Sequence, residues 1–446
     1  MPVNTPWRMP AALIVAMLVA AACSSSSKST SSSSTTAGAT SGKLTASYRG
    51  VTPDTIKLGY SYPDLDALAK TGLIKVGRGP EEAIVKALVD DINARGGVNG
   101  RKLEVVFAKY GVLGSNEQLA SCTKLTEDAK VFMILGGYVG DNNLCAIQQH
   151  KTGVIFNYGA GFNQITLGKA RAPFVTPGAS DERSIKALVQ TLDQQGQLKG
   201  KTIGVYGTLS ASKPLIDENV KVLEDAGYAV KDTAINDVNA TDAQAFNAQD
   251  KVIGNKFKDE GIDAVFIQVT VPPGTNWDAV GYHPAMFSPQ TSLVSSGSYT
   301  NDYSKFPLVA SVSFSADPNL GYDTPGMKQC RDVWKKASGQ DVKPPTVESQ
   351  EGKSSGFSAL GNSCIELQVF VAAAKAAGTD LTYDSFMKGL ESLGKIQLAG
   401  LPAASFGPNK PDAQDSFQLV KFNTAWKPGS NAQEFLPSGT TITLAG

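Results

Sequence analysis

From about residue 54 onward, the apolar positions alternate between a helical period and short continuous runs of strand length. Residues 79–107 read GPEEAIVKALVDDINARGGVNGRKLEVVF, and Ala83, Val85, Leu88, Val89 and Ile92 recur near helical spacing. Pro80 and the Glu81-Glu82 pair suit a first helical turn, and Gly96-Gly97 supply a left-handed stop. Asn99-Gly100 then makes a tight turn, and 103–107 is an apolar, β-rich run. With a strand predicted at 56–60, this is half of a βαβ unit.

The alternation continues. It predicts a helix over 116–130, a strand at 131–135, a loop at 136–143, a helix to about 151 and a strand at 153–157. Then come a helix at 182–195, strand 202–206, helix 211–226, strand 228–235, a helix within 243–260 and strand 264–269. Beyond these lie a strand near 308–314, helices near 327–337, 361–377 and 383–393, and a closing strand at 417–422. This spacing predicts an α/β fold with parallel, doubly wound sheets. About 400 residues exceed what one core usually holds, so two lobes are expected.

Upstream of the alternation, Arg8 precedes an apolar run at 11–22 that ends Ala20-Ala21-Ala22-Cys23. The run is too short to cross a bilayer of ~30 Å but fits a secretory signal, so 1–22 are expected to be removed on export. Small residues before a Cys resemble a bacterial lipoprotein processing site, with Cys23 as the lipidated first residue. Such sites usually carry Leu where Ala20 stands, and an ordinary signal peptide cut near Ala22 is the alternative. Residues 24–42 hold no apolar side chain larger than Ala and form no core, so 23–51 read as an anchor and tether. The expected location is the cell envelope, on the outer face of the cytoplasmic membrane.

Charge changes the picture by exclusion. Lys plus Arg and Asp plus Glu both number 41, so no basic stripe suggests nucleic acid. After residue 22 no apolar run is read as long enough to cross a membrane. Four cysteines follow Cys23, an even number for an oxidising compartment, and they pair locally as Cys122 with Cys145 and Cys330 with Cys364. A metal site is the competing reading, but there is no Cys-x-x-Cys and only His150 and His283 are available. Neither His has an evident nucleophile or paired carboxylate, so no enzyme, cofactor or metal is expected.

One stretch carries a family resemblance. Asp91-Ile92-Asn93-Ala94-Arg95-Gly96-Gly97-Val98-Asn99-Gly100, after Thr55-Ile56-Lys57-Leu58-Gly59, resembles the start of type I periplasmic solute-binding proteins, the branched-chain amino-acid receptors of ABC importers. The resemblance implies two lobes joined by a three-strand hinge, with crossings near Gly178, Ser296 and Gly400. Lobe one would hold 52–178 and 297–398, lobe two 179–296 and 399–430, and 431–446 would be a tail. It further implies a monomer that binds a small solute between the lobes and presents it to an ABC permease.

Ligands of open α/β sheets sit outside the carboxyl ends of strands. In lobe one those positions are Tyr60-Ser61-Tyr62, Tyr138-Val139-Gly140-Asp141 and Tyr158-Gly159-Ala160; in lobe two they include Tyr206, Gln268, Thr270 and Ser298. The recurring Tyr residues are expected to wall an apolar cleft. Amino-acid receptors of the family hold the ligand carboxylate with lobe-one hydroxyls and the ammonium with a lobe-two acid. Here the matching loops lack the hydroxyl pair, and Thr270-Val271-Pro272-Pro273 stands where the acid is expected. A less polar or aromatic solute is therefore favoured over a free amino acid. Asp141 either meets an ammonium or caps the next helix. A sensor of the same fold, without a transport role, is the alternative function.

Overall fold

The computed structural model describes residues 44–70, 77–111, 115–157, 161–208, 213–238, 242–268, 272–291, 294, 302–314, 319–351, 353–427 and 432–444. The first sheet has five parallel strands in the order β2-β1-β3-β4-β5. They are β1 Thr55–Pro63, β2 Lys102–Tyr110, β3 Met133–Gly136, β4 Gly153–Phe156 and β5 Phe174–Val175. The second sheet runs β14-β13-β10-β9-β8-β6-β7. Its strands are β6 Ile203–Thr208, β7 Val230–Asn236, β8 Ala264–Gln268, β9 Ala285–Ser288, β10 Val309–Ser313, β13 Ser416–Phe422 and β14 Phe435–Thr443, while β11 Gly394–Lys395 and β12 Ser405–Phe406 form a small separate ribbon. Strands β6 to β10 repeat the order of β1 to β5, so each lobe is a doubly wound unit.

Helix Glu81–Ala94 forms where the pattern places it and buries Ile84, Val85, Leu88 and Val89 against lobe one. Each such side chain contributes roughly 1.5–3 kcal/mol by leaving water. Gly97 stops the helix at φ 67°, where an added Cβ would sit 2.0 Å from the Arg101 carbonyl oxygen. Asn93 receives the Leu103 amide at 2.7 Å and donates to its carbonyl at 2.9 Å, stitching the helix end to β2. Asn99 donates to the carbonyls of Ala374 and Gly378 at the end of a second lobe-one helix, Phe357–Ala376.

Several boundaries differ from the sequence reading. Strand β10 pairs in parallel with β9, so 309–313 belong to lobe two and the second crossing falls after Ser313, not near Ser296. The supposed tail contains β14, which pairs antiparallel with β13 and makes the lobe-two sheet mixed. Its alternation of exposed and half-buried residues marks an edge strand, a weak apolar signal. The helices predicted over 116–130 and before 151 end in wide turns, Lys124–Asp128 and Cys145–Gln149. Strands β5 and β9, two and four residues long, are too short to show a period. Helix Phe357–Ala376 is, among the described residues, long and apolar enough to cross a membrane, yet its apolar positions pack in the lobe-one core.

Both disulfides form as paired, Cys122–Cys145 and Cys330–Cys364, and each lies within lobe one. His150 lies beside the first, but those sulfurs are bonded to each other, and the ring pairs with Glu127 at 2.6 Å.

The first and third crossings run side by side. Thr176 donates to Pro411 and receives Ala413, both at 3.0 Å, and Gln414 donates to Gly178 at 3.0 Å. Arg183, on helix Asp181–Gln194, holds this pair from lobe two by bonding Asp412 at 2.7 Å and Asp415 at 3.1 Å. Lys410 also meets Asp415 at 3.1 Å, and burial pushes its ammonium below its usual range.

The Cys330–Cys364 bridge closes a loop of 34 residues. In the entropic model such a loop constrains the unfolded chain by roughly 3–4 kcal/mol. The double variant Cys330→Ser/Cys364→Ser should lose about that much stability in urea unfolding, with lobe one affected first.

Candidate functional site

The strands of each lobe end toward the crossings, and there the lobes meet. In lobe one the sheet order reverses between β1 and β3, the switch point where open α/β sheets bind ligands. Ser61 fastens that point by donating to the Gly137 carbonyl and receiving the Gly137 amide, each at 2.9 Å. The loop after β3 is then shaped by Asn143, which accepts from the Tyr138 amide at 2.9 Å and donates to the Gly140 carbonyl at 3.1 Å. The cap is thus Asn143 and not Asp141, which stands exposed on a single tight turn. Val139 is 44% exposed at the same tip. Gly140 has φ 58°, and a Cβ on Gly161 would lie 3.4 Å from its Cα, so the two loops approach backbone to backbone.

The tyrosines are not arranged as the sequence suggested. Tyr60, Tyr138 and Tyr206 are fully buried within their lobes and buttress the strand ends instead of walling a cleft. Tyr60 donates to Glu81 at 2.9 Å, Tyr138 lies against Tyr110, and Tyr206 bonds Asp250. Their hydroxyls are engaged inside each lobe, which is why ring and polar tip both leave the surface. Tyr62, at the end of β1, donates to Glu82 at 2.5 Å and borders a shallow polar recess. Gln268 ends β8 with its side-chain nitrogen buried and without a hydrogen bond among the described residues. Tyr158, Gly159, Ala160, Thr270 and Ser298 lie outside the described residues.

A cavity of about 620 Å³ opens between lobe one and the crossings. Pro177 and Gly178 of the first crossing, Phe314 of the second and Gln414 of the third line it. Lobe one contributes Asn157 from the end of β4, and Phe357, Asn362 and Ile365 from helix Phe357–Ala376, with Met327 and Leu401 beside them. The wall is mostly apolar with a few amides, the composition of a small-molecule site. Asn157 directly follows a predicted strand and was within reach of the strand-end rule. Phe314, Asn362 and Gln414 come from distant segments and carried no local signal.

A polar contact bridges the lobes next to this cavity. Asp181, buried at the start of its helix, accepts from the Gly161 amide and the Asn163 side chain of lobe one, both at 3.1 Å. From lobe two Gln290, just after β9, donates to its other oxygen at 3.3 Å. Burial pushes the Asp181 carboxyl up to about 7, against the opposing hydrogen bonds from Asn163 and Gly161.

The chain matches the periplasmic binding protein family over residues 55–426. No curated protein matches it. Among solved structures, a solute-binding protein of an ABC transporter from R. palustris, in complex with 4-hydroxybenzoate, superposes with TM-score 0.59 at 15% identity, covering 87% of this chain and 97% of the other. A substrate-binding protein from Desulfitobacterium hafniense in complex with Leu gives TM-score 0.56 at 16% identity, covering 86% and 100%. A fatty acid ABC transporter substrate-binding protein from Thermomonospora curvata gives 0.56 at 16%, covering 89% and 94%.

The Asp181 shift has a definite sign. A carboxyl raised in the fold stabilises it fully below its ordinary value near 3.8, and that contribution is lost as pH rises through about 7. Wild-type stability should therefore fall between pH 4 and 7 relative to Asp181→Asn, and the difference in unfolding free energy between the two, measured across that range, checks it. Together the two repeated sheets, the paired crossings, the cavity beside them and the match over most of its length show that this chain belongs to the periplasmic binding protein family.

Proposed function

We propose that the protein captures a small, mostly apolar solute in the cavity beside the crossings and presents it to the permease of an ABC importer. The observation that carries this reading is that residues of all three crossings line the cavity. A solute filling it touches the segments that must bend when the lobes move, so its contacts bias the balance between open and closed forms. The similar structures whose bound molecules are named hold 4-hydroxybenzoate or Leu, compounds whose size suits such a site. The exposed positions Val139, Gly140 and Asp141, together with Tyr62, Gln268, Tyr158, Gly159, Ala160, Thr270 and Ser298, are proposed as the rim that meets the solute on closure. Tyr60, Ser61, Tyr138 and Tyr206 support that rim from beneath.

The protein acts outside the cytoplasm as a monomer, held to the membrane by a lipid on Cys23 and spaced from it by the Ser-rich segment that follows. Replacing Cys23 by Ala should move the protein from the membrane fraction to the soluble fraction; retention of the variant on membranes would count against the anchor.

Solute capture is tested by a thermal-shift screen of the chain from residue 43 onward with amino acids, aromatic acids, amides and fatty acids. A bound compound at about a hundred times its dissociation constant stabilises by roughly 2.7 kcal/mol. Ser358 lines the cavity yet is exposed, so Ser358→Trp should abolish the shift without lowering the unfolding temperature of the free protein. An unchanged shift in that variant would place the solute elsewhere.

A further inference from the structure

We infer that the captured solute carries a protonated amine and that Glu366 receives it. This rests on the reading of the chain as a solute receptor and names the polar group of its solute.

Glu366 sits on helix Phe357–Ala376 and is wholly buried. Neither of its carboxyl oxygens has a partner in hydrogen-bond geometry among the described residues. A buried carboxyl without partners is costly, and a fold that keeps one calls for an explanation.

Its surroundings contain one cation and a second carboxyl. Arg78, also buried, meets Glu81 at 2.8 Å. With the Asn362 amide turned so that its oxygen faces the guanidinium, Asn362 accepts from Arg78 at 3.0 and 3.2 Å. Glu81 receives the Tyr60 hydroxyl as well. Two carboxyls therefore share one guanidinium, and Glu366 is the one without an ion pair. Asn157 and Arg78 partly offset its burial, and the Tyr110 hydroxyl senses the same charges.

The cluster lies directly behind the cavity. Asn157, Asn362 and Ile365 line the cavity, and Glu366 follows Ile365 and stands one helical turn after Asn362. An ammonium entering there supplies the missing charge and up to three donors, giving charge-assisted hydrogen bonds in a dry site. A carboxylate placed there would face two carboxyls. Burial drives Glu366 well above the usual carboxyl range, so the empty receptor holds a proton that leaves to solvent when an ammonium binds. Binding of an amine therefore tightens as pH rises.

The test uses matched probes on the same receptor: phenethylamine, 2-phenylethanol and 3-phenylpropionate, with hexylamine, hexanol and hexanoate as aliphatic counterparts. Thermal shift followed by calorimetry at pH 6 and pH 8 should show binding by an amine, at least tenfold tighter than its alcohol or acid counterpart and tighter at pH 8. Asp181→Asn serves as the background for the pH comparison, because Asp181 titrates over the same range. Glu366→Gln should lose at least tenfold in amine affinity while unfolding at the same or a higher temperature, since it removes a buried unpaired charge. Equal binding of acid or alcohol, amine affinity unchanged in Glu366→Gln, or weaker amine binding at pH 8 overturns the inference. If other compounds of the wider screen bind and the amines do not, the amine assignment falls and solute capture stands. If no compound stabilises the protein, both fall.

Discussion

The arrangement of the two lobes depends on a short stretch of backbone pairing between the first and third crossings. Thr176 and Gly178 exchange hydrogen bonds with the segment from Pro411 to Gln414, and Arg183 locks the pair by reaching Asp412 and Asp415 from lobe two. The Arg183 side chain is largely buried, as are both aspartates. Breaking such a pair from one side leaves uncompensated charge in a poorly solvated place, at a cost of about 3–5 kcal/mol. The crossings are thus tied to each other more firmly than the lobes are tied across the cleft. That is the mechanical condition for lobes that move as rigid bodies around a fixed axis.

The lobes share a strand order but not a construction. Lobe one carries both disulfides and the switch-point clasp between Ser61 and Gly137. Lobe two is completed by antiparallel β13 and β14, and its core is organised around Trp277, Tyr206 and their aromatic neighbours. The buried polar groups concentrate near the strand ends, where Asp181, Gln268, Glu366 and Arg78 surround or back the interlobe space. A core built only for stability would not place them there.

Fold class was legible because the apolar pattern alternates cleanly, and long helices such as Ala243–Asp259 appear where the period predicts them. The string that suggested the family proves to be architectural. Asn93 and Asn99 spend their amides on β2 and on the end of helix Phe357–Ala376, and Gly97 fits where no side chain could. The site was far less legible. Position after a strand predicts that a residue lies near the cleft, but not whether its side chain turns inward, and Tyr60, Tyr138 and Tyr206 all turn inward to polar or aromatic partners. Phe314, Asn362 and Gln414 are brought together only by the crossings, so no window of sequence contains them. Edge strand β14 escaped because an exposed ribbon has little apolar signal to read.

The interleaving of the lobes along the chain also sets the order in which the molecule can be assembled. The five-stranded sheet is finished by residue 175, yet the helix that covers its inner face spans Phe357–Ala376. The other sheet waits for β13 and β14, which end at Thr443. Neither half can bury its apolar surface while the chain is still emerging, and long sequence separations slow the closure of such contacts. Productive folding must therefore follow, not accompany, synthesis and translocation, and a shortened C-terminus would leave lobe two with an open edge.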